Sequence, residues 1–334
     1  MLKIGIIYGG ESTEHEVSIK SAESIIENID KEKYIVERLY IDEEGTWFLN
    51  GKELTNVFSY LKTLDLAFPV LHGQYGEDGS ITGLFTMAGV PYIGCPILSN
   101  ALAMDKVYSK IIFKNAHIEV APYIYIKQIG YDYYYINDMF EEKRISIKDL
   151  SKLIKDKLNY PVYIKPSRSG SSIGITKCKE EKELLSSLDE ASKYDNKILI
   201  EKSIVGRELE CAVLGNNDIV CSKVGEINTN NDFYSYDAKY INSFNTSLAT
   251  LPEDIENEIK TLAIRAYKSL DCKGLSRVDF FLEENTNKII INEINTMPGF
   301  TNISMYPKLW ENTGLSYKEL INKLIFLALQ NDED

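Results

Sequence analysis

The sequence predicts an N-terminal open parallel α/β domain over residues 1–100, followed by a two-lobed α+β domain. The central lobe of that second domain spans 101–200 and its C-terminal lobe 201–334. Three observations lead there. Strand and helix patterns alternate over the first hundred residues, as in a parallel sheet. A buried-type strand, Val162–Lys165, runs into a glycine/serine loop. Two β-rich runs, 277–282 and 289–294, flank a polar turn and carry facing carboxylates.

Taken in order, Lys3–Tyr8 reads as a buried strand, Gly9-Gly10 as a turn and Ser18–Ile29 as a helix. Leu64–Leu71 is a further apolar strand ending at His72. The glycines after the first strand lack the G-x-G-x-x-G spacing, which argues against a dinucleotide. Glu14 and His72 fall at strand ends, where open α/β sheets bind ligands. A break follows Cys95-Pro96. Tyr131–Tyr135 and the following Glu141–Arg144 read as a surface excursion without a function. Ser146 caps a helix, with Asp149 three residues on and Leu150, Leu153, Ile154 and Leu158 on one face. The last third holds a helix at Asp254–Leu270, the carboxylate hairpin, and a closing helix that opens on the capping box Ser316-Tyr317-Lys318-Glu319.

At 334 residues the chain holds more than one core. Its formal charge of −13 argues against nucleic acid or an anionic membrane as partner. A polyphosphate site must then be built from selected lysines and arginines. The five cysteines are scattered and form no C-x-x-C pair, as expected of reduced thiols in a cytoplasmic protein. MLKIGIIYGG enters a strand directly, so a signal peptide is not expected. No apolar run approaches the ~20 residues of a membrane span. Three histidines make a His-based metal site improbable.

The loop Ser167–Gly174 offers small residues whose backbone N–H groups can approach an anion. It lacks the G-K-[ST] ending of a P-loop. Lys165, at the end of the preceding strand, can meet an α- or β-phosphate. Ile198–Lys202 reads as a linker strand able to sandwich an adenine, and Glu208 can accept from ribose hydroxyls.

Folding the hairpin at Asn285-Thr286-Asn287, as a three-residue turn symmetric about Thr286, sets Asp279 opposite Glu293. Asn295 and Arg277 return to the same face. Two carboxylates and an amide oxygen are hard ligands suited to Mg²⁺, which usually also takes substrate phosphates. Arg277 is placed to meet an anion held by that metal.

Seven segments together resemble the D-alanine–D-alanine ligases of the ATP-grasp superfamily: YGGESTEHEVS (8–18), LHGQYGEDG (71–79), ALAMDK (101–106), IKPSRSGSSIGI (164–175), FYSYDAKY (233–240), GLSRVDFF (274–281) and NEINTMPGFTNISMYP (292–307). The resemblance covers nearly the whole chain. It implies a pre-ATP-grasp domain followed by a two-lobed ATP-grasp domain, with ATP and two Mg²⁺ ions (or Mn²⁺) as cofactors. Glu14 would hold the first D-alanine, ordered by Ser171 and Tyr240, with His72 nearby. Lys106 and Lys165 would meet ATP phosphates, Glu201 and Lys202 the adenine region, and Glu208 the ribose. Lys239 would reach the γ-phosphate from a mobile loop at 229–248. Asp279, Glu293 and Asn295 would hold the metal ions. Arg277 and the backbone at Gly299 would polarise the tetrahedral centre, while Ser304 and Met305 flank the second amino acid. A homodimer is the usual assembly. The alternatives are a D-alanine–D-serine or D-lactate ligase of the vancomycin-resistance type and, from another class, a nucleotide-binding protein without catalysis.

Overall fold

The computed structural model describes residues 1–227 and 246–330. Its first sheet contains β1 (Leu2–Gly9), β2 (Tyr34–Ile41), β3 (Trp47–Leu49), β4 (Lys52–Glu53) and β5 (Leu66–Pro69), in the order β4-β3-β2-β1-β5. β2, β1 and β5 pair in parallel, while β3 pairs antiparallel with β2 and β4 antiparallel with β3, so the sheet is mixed at one edge. The helices α1 (His15–Asn28), α2 (Val57–Leu61) and α3 (Ser80–Ala88) belong to this part of the chain. The first begins three residues before the predicted Ser18, which is committed to the neighbouring strands. Ser18 does not cap the helix: its hydroxyl accepts from Gly9 N at 2.8 Å and donates to Val70 O at 2.7 Å, tying α1 to the strand ends.

Two helices follow, α4 (Ile97–Met104) and α5 (Lys106–Asn115). Next comes a sheet of β6 (Tyr123–Ile129), β7 (Asp132–Ile136), β8 (Glu142–Ile145), β9 (Val162–Pro166), β10 (Thr176–Cys178) and β11 (Lys197–Lys202), ordered β10-β9-β11-β6-β7-β8. The tyrosine-rich segment is therefore not a surface excursion but two regular strands at one side of the sheet. Tyr133 and Ile136 are buried, Arg144 pairs with Asp132 on the neighbouring strand, and Lys127 reaches Glu142 across β7. Tyrosines on both faces of β7 hide the period-2 alternation that marks a half-buried strand. The helices α6 (Ile147–Lys157) and α7 (Leu184–Ser192) complete this sheet. Ser146 caps α6 by accepting from Asp149 N at 3.1 Å, and Leu150 and Ile154 are fully buried.

The third sheet, ordered β14-β13-β12-β15-β16, consists of β12 (Gly206–Leu214), β13 (Val220–Ile227), β14 (Thr246–Leu248), β15 (Leu275–Glu283) and β16 (Ile289–Asn295). With it go α8 (Glu253–Ser269), α9 (Met305–Thr313) and α10 (Tyr317–Leu329). The last opens on the capping box of Ser316 and Glu319.

The cores cross the cuts at 100 and 200. Ala103 and Phe113, from α4 and α5, pack with Tyr267, Val278 and Phe280 under the third sheet. Leu320, Ile321 and Leu324 of α10 pack with Ile4, Ile6 and Phe68 of the first. An apolar helix stripe buries against whichever sheet face reaches it.

Candidate active site

The carboxylate hairpin is built on β15 and β16. Asp279 pairs with Glu293 and Arg277 with Asn295, so all four lie on one face. The connection is not a three-residue turn symmetric about Thr286. It is a five-residue loop, 284–288, with Asn287 in the left-handed region at φ 54°. Near the loop the register is Leu282↔Ile289 and Phe280↔Ile291; a bulge then makes Asn292 an extra residue and brings Glu293 to Asp279. Arg277 grips both oxygens of Asp279, through Nε and Nη2 at 2.7 Å each, and its Nε lies 3.2 Å from the buried Glu210. Asn295 Nδ2 donates to Asp279 at 3.1 Å.

Among the described residues no group of three or more His, Cys, Asp or Glu side chains could hold a metal ion by itself. Asp279, Glu293 and the Asn295 amide oxygen nevertheless fit Mg²⁺, which keeps waters and takes phosphate oxygens rather than demanding a full protein cage. The two carboxylates are already near cations, Asp279 facing Arg277 and Glu293 facing Lys106 at 3.4 Å.

A cavity of about 120 Å³ lies between the second and third sheets. Its wall includes Lys106, Lys165, Glu201, Lys202 and Glu208, which the family resemblance assigns to a nucleotide, together with Ser171 and Glu293. Lys106 Nζ donates to Ser169 O at 2.8 Å, so the helix lysine also braces the glycine/serine loop. Lys165 Nζ donates to Glu201 at 2.7 Å. Burial alone would pull the Lys165 ammonium down, but the Glu201 charge outweighs it and holds the group above its ordinary value. The other Glu201 oxygen pairs with Lys110, a buried α5 lysine that the sequence reading passed over. Its one-turn spacing from Lys106 was the available signal.

Ser171 joins this cavity to a second group of side chains. Its hydroxyl donates to Glu14, which is 5% exposed at the start of α1. Ser171 and Ser172 both have left-handed backbones, at φ 51° and 61°, which turn the loop toward the N-terminal domain. His72 is buried beside Glu14; its Nδ1 lies 3.2 Å from Met297 O and 3.8 Å from Glu77. Burial lowers the proton affinity of His72, yet the Glu77 and Glu14 carboxylates together leave it raised. Burial, with the Glu14 charge adding to it, pushes Glu77 up. Glu77 and Glu210 went unnoticed in the sequence because nothing local distinguishes them from surface carboxylates.

Gly299 and Ser304 are adjacent: a Cβ on Gly299 would lie 3.2 Å from Ser304 Oγ. Ser304 Oγ accepts from Thr301 N at 3.0 Å, and Ser304 is the N-cap residue of α9. Met305 is 8% exposed and packed in the apolar core; a Cβ on Gly225 would come within 2.9 Å of its Sδ. Lys239, Tyr240 and most of the 229–248 segment lie outside the described residues, while Thr246–Leu248 forms β14.

Two antiparallel sheets closing on one cavity, one bringing the lysines and the other the metal-type oxygens, make this an ATP-grasp ligase. Family models give the particular branch. The model of the D-ala D-ala ligase C-terminus matches residues 112–326, and that of the N-terminus matches 3–60 and 52–95. The D-alanine–D-alanine ligase of Acetivibrio thermocellus is 45% identical over 99% of this chain and 97% of its own length. Among solved structures, the VanG D-Ala:D-Ser ligase from Enterococcus faecalis has a TM-score of 0.84 at 34% identity, covering 98% of this chain and 99% of that one. The D-alanine–D-alanine ligase from Bacillus anthracis complexed with ATP has a TM-score of 0.80 at 27% identity, over 99% and 98% of the two chains. The chain belongs to the D-alanine–D-alanine ligase family.

Proposed function

We propose that the protein joins two molecules of D-alanine at the expense of ATP, making D-alanyl-D-alanine for peptidoglycan precursors. The observation that carries this reading is the Ser171–Glu14 hydrogen bond, which couples the nucleotide cavity to a buried carboxylate suited to an amino-acid ammonium. A carboxylate is a poor acylating agent. A carboxylate oxygen of the first D-alanine therefore attacks the γ-phosphorus of ATP, and ADP leaves. The amine of the second D-alanine, having lost a proton, attacks the acyl carbon and expels phosphate. Phosphoryl transfer is catalysed mainly by positioning and charge neutralisation, which accounts for lysines, an arginine and metal around one point.

In this reading Glu14 holds the first ammonium, ordered by Ser171 and Tyr240, with His72 beside it. Lys106 and Lys165 take phosphates, Glu201 and Lys202 lie at the adenine region, Glu208 takes the ribose and Lys239 the γ-phosphate. Arg277 and the Gly299 backbone stabilise the tetrahedral centre, with Ser304 and Met305 at the acceptor. Asp279, Glu293 and Asn295 hold two Mg²⁺ ions, replaceable by Mn²⁺, which neutralise phosphate charge. We place the protein in the cytoplasm as a homodimer.

A D-serine acceptor is the second reading, favoured by the structural likeness to the VanG D-Ala:D-Ser ligase. The higher identity to curated D-alanine–D-alanine ligases supports D-alanine. Incubation with ATP, Mg²⁺ and equimolar D-alanine, D-serine and D-lactate near pH 8, followed by product analysis, decides between them. Mainly D-Ala-D-Ala is expected; a predominance of D-Ala-D-Ser or D-Ala-D-lactate overturns the D-alanine reading.

A further inference from the structure

We propose that Lys110 is a positioning residue for nucleotide binding, acting through Glu201 to leave the charge of Lys165 available to a phosphate. Lys110 is 1% exposed and is absent from the wall of the 120 Å³ cavity, whereas Lys165 and Glu201 belong to it. Lys110 therefore stands behind the site rather than in it.

Its position is fixed at two points. One turn beyond Lys106 on α5, it shares that residue's face. The two ammoniums address successive residues of β16: Lys106 reaches the Glu293 carboxylate, and Lys110 donates to Asn292 O at 3.4 Å. The second anchor is Glu201, whose two oxygens are divided between Lys110 and Lys165.

Counting charge gives the consequence. Two ammoniums and one carboxylate leave this buried triad with one net positive charge. Without Lys110, Glu201 and Lys165 form a closed neutral pair, and a buried carboxylate with a single cation holds it strongly. Lys165 would then offer phosphate little net attraction. Burial, with the Lys165 charge adding to it, holds the Lys110 ammonium below its ordinary value, and the Glu201 carboxylate is the main influence opposing that.

The inference rests on Lys165 as a phosphate-binding group, and the experiment separates the two claims. Affinity for a non-hydrolysable ATP analogue with Mg²⁺, and for adenosine, is measured by calorimetry. The proteins are the unmodified enzyme, Lys165→Met, Lys110→Met, Lys110→Arg, Glu201→Gln and the Lys110→Met/Glu201→Gln double variant. Unchanged analogue affinity in Lys165→Met removes the phosphate reading itself, whatever Lys110 does. If that reading stands, Lys110→Met should weaken the analogue by about tenfold or more, on the scale of one hydrogen bond to a charged group, with adenosine unchanged. Lys110→Arg should restore most of the affinity. In the double variant the loss relative to Glu201→Gln alone should vanish, because no carboxylate is left to claim Lys165. If Lys110→Met fails to fold, Lys110→Gln, which keeps a donor toward Glu201 but removes the charge, takes its place and should show the same loss for the analogue alone. Analogue affinity unchanged in Lys110→Met, an equal loss for adenosine, or a loss that persists in the Glu201→Gln background overturns the proposal.

Discussion

Glu293 faces Asp279 because Asn292 is an extra residue in the strand between them and the hairpin loop. From Leu282↔Ile289 to Phe280↔Ile291 the pairing is regular; continued without the bulge, it would put Asn292 opposite Asp279 and turn Glu293 to the other face. The metal-type face therefore depends on one irregularity.

Asp279→Asn and Glu293→Gln should each abolish most ligase activity while the circular dichroism spectrum stays that of the unmodified protein. Each removes one of the two carboxylates that converge on the proposed cation. Near-normal turnover at low millimolar Mg²⁺ in both variants would show that the hairpin is only a charged surface.

Arg277→Lys should depress kcat far more than it weakens ATP binding. The guanidinium holds Asp279 through two nitrogens and also lies against Glu210, a fork that an ammonium cannot reproduce. Loss of one transition-state donor costs about 2.7–4 kcal/mol, so turnover should fall by roughly a hundredfold or more. A raised KM for ATP with unchanged kcat would place Arg277 on the nucleotide instead.

Acid stability should depend on Glu201. Burial pushes its carboxyl up, but Lys110 and Lys165 outweigh that and hold it below its ordinary value. A lowered folded-state pKa gives stability that is present above the unfolded value of about 4.3 and lost as pH falls through the folded one. The melting-temperature gap between the unmodified protein and Glu201→Gln should therefore narrow below roughly pH 4.3. A gap that stays constant to pH 3 contradicts the buried triad.

Met305→Arg should destabilise the protein before it retunes the acceptor. The thioether packs into a core shared with Phe300, Leu309 and Trp310, close to Gly225. A guanidinium there lacks a partner and costs on the order of several kcal/mol. Met305→Leu, close to volume-conserving, should cost under about 1.5 kcal/mol. Thermal melts of both variants, with acceptor competition on whatever folds, test this; a stable Met305→Arg protein would mean that the side chain escapes to a cavity.

Much of the site could be read from the sequence because its signals are local. A two-residue period sets Arg277, Asp279, Glu293 and Asn295 on one strand face, and Ser146 and Ser316 announce helix starts within three residues. The seven ordered segments pointed to the family, and Lys165 at a strand end to the cavity proposed for the nucleotide. The tertiary structure alone decided the rest. It set the bulge at Asn292, the burial of Lys110 against Glu201, the partnership of Glu210 with Arg277, and the placement of α5 and α10 under sheets on the far side of the expected boundaries. Local rules specify what a residue can present to its neighbours within a turn or a strand pair. Which carboxylate meets which buried lysine depends on how distant elements pack, because a charge removed from water must find its counter-ion wherever the fold brings one close.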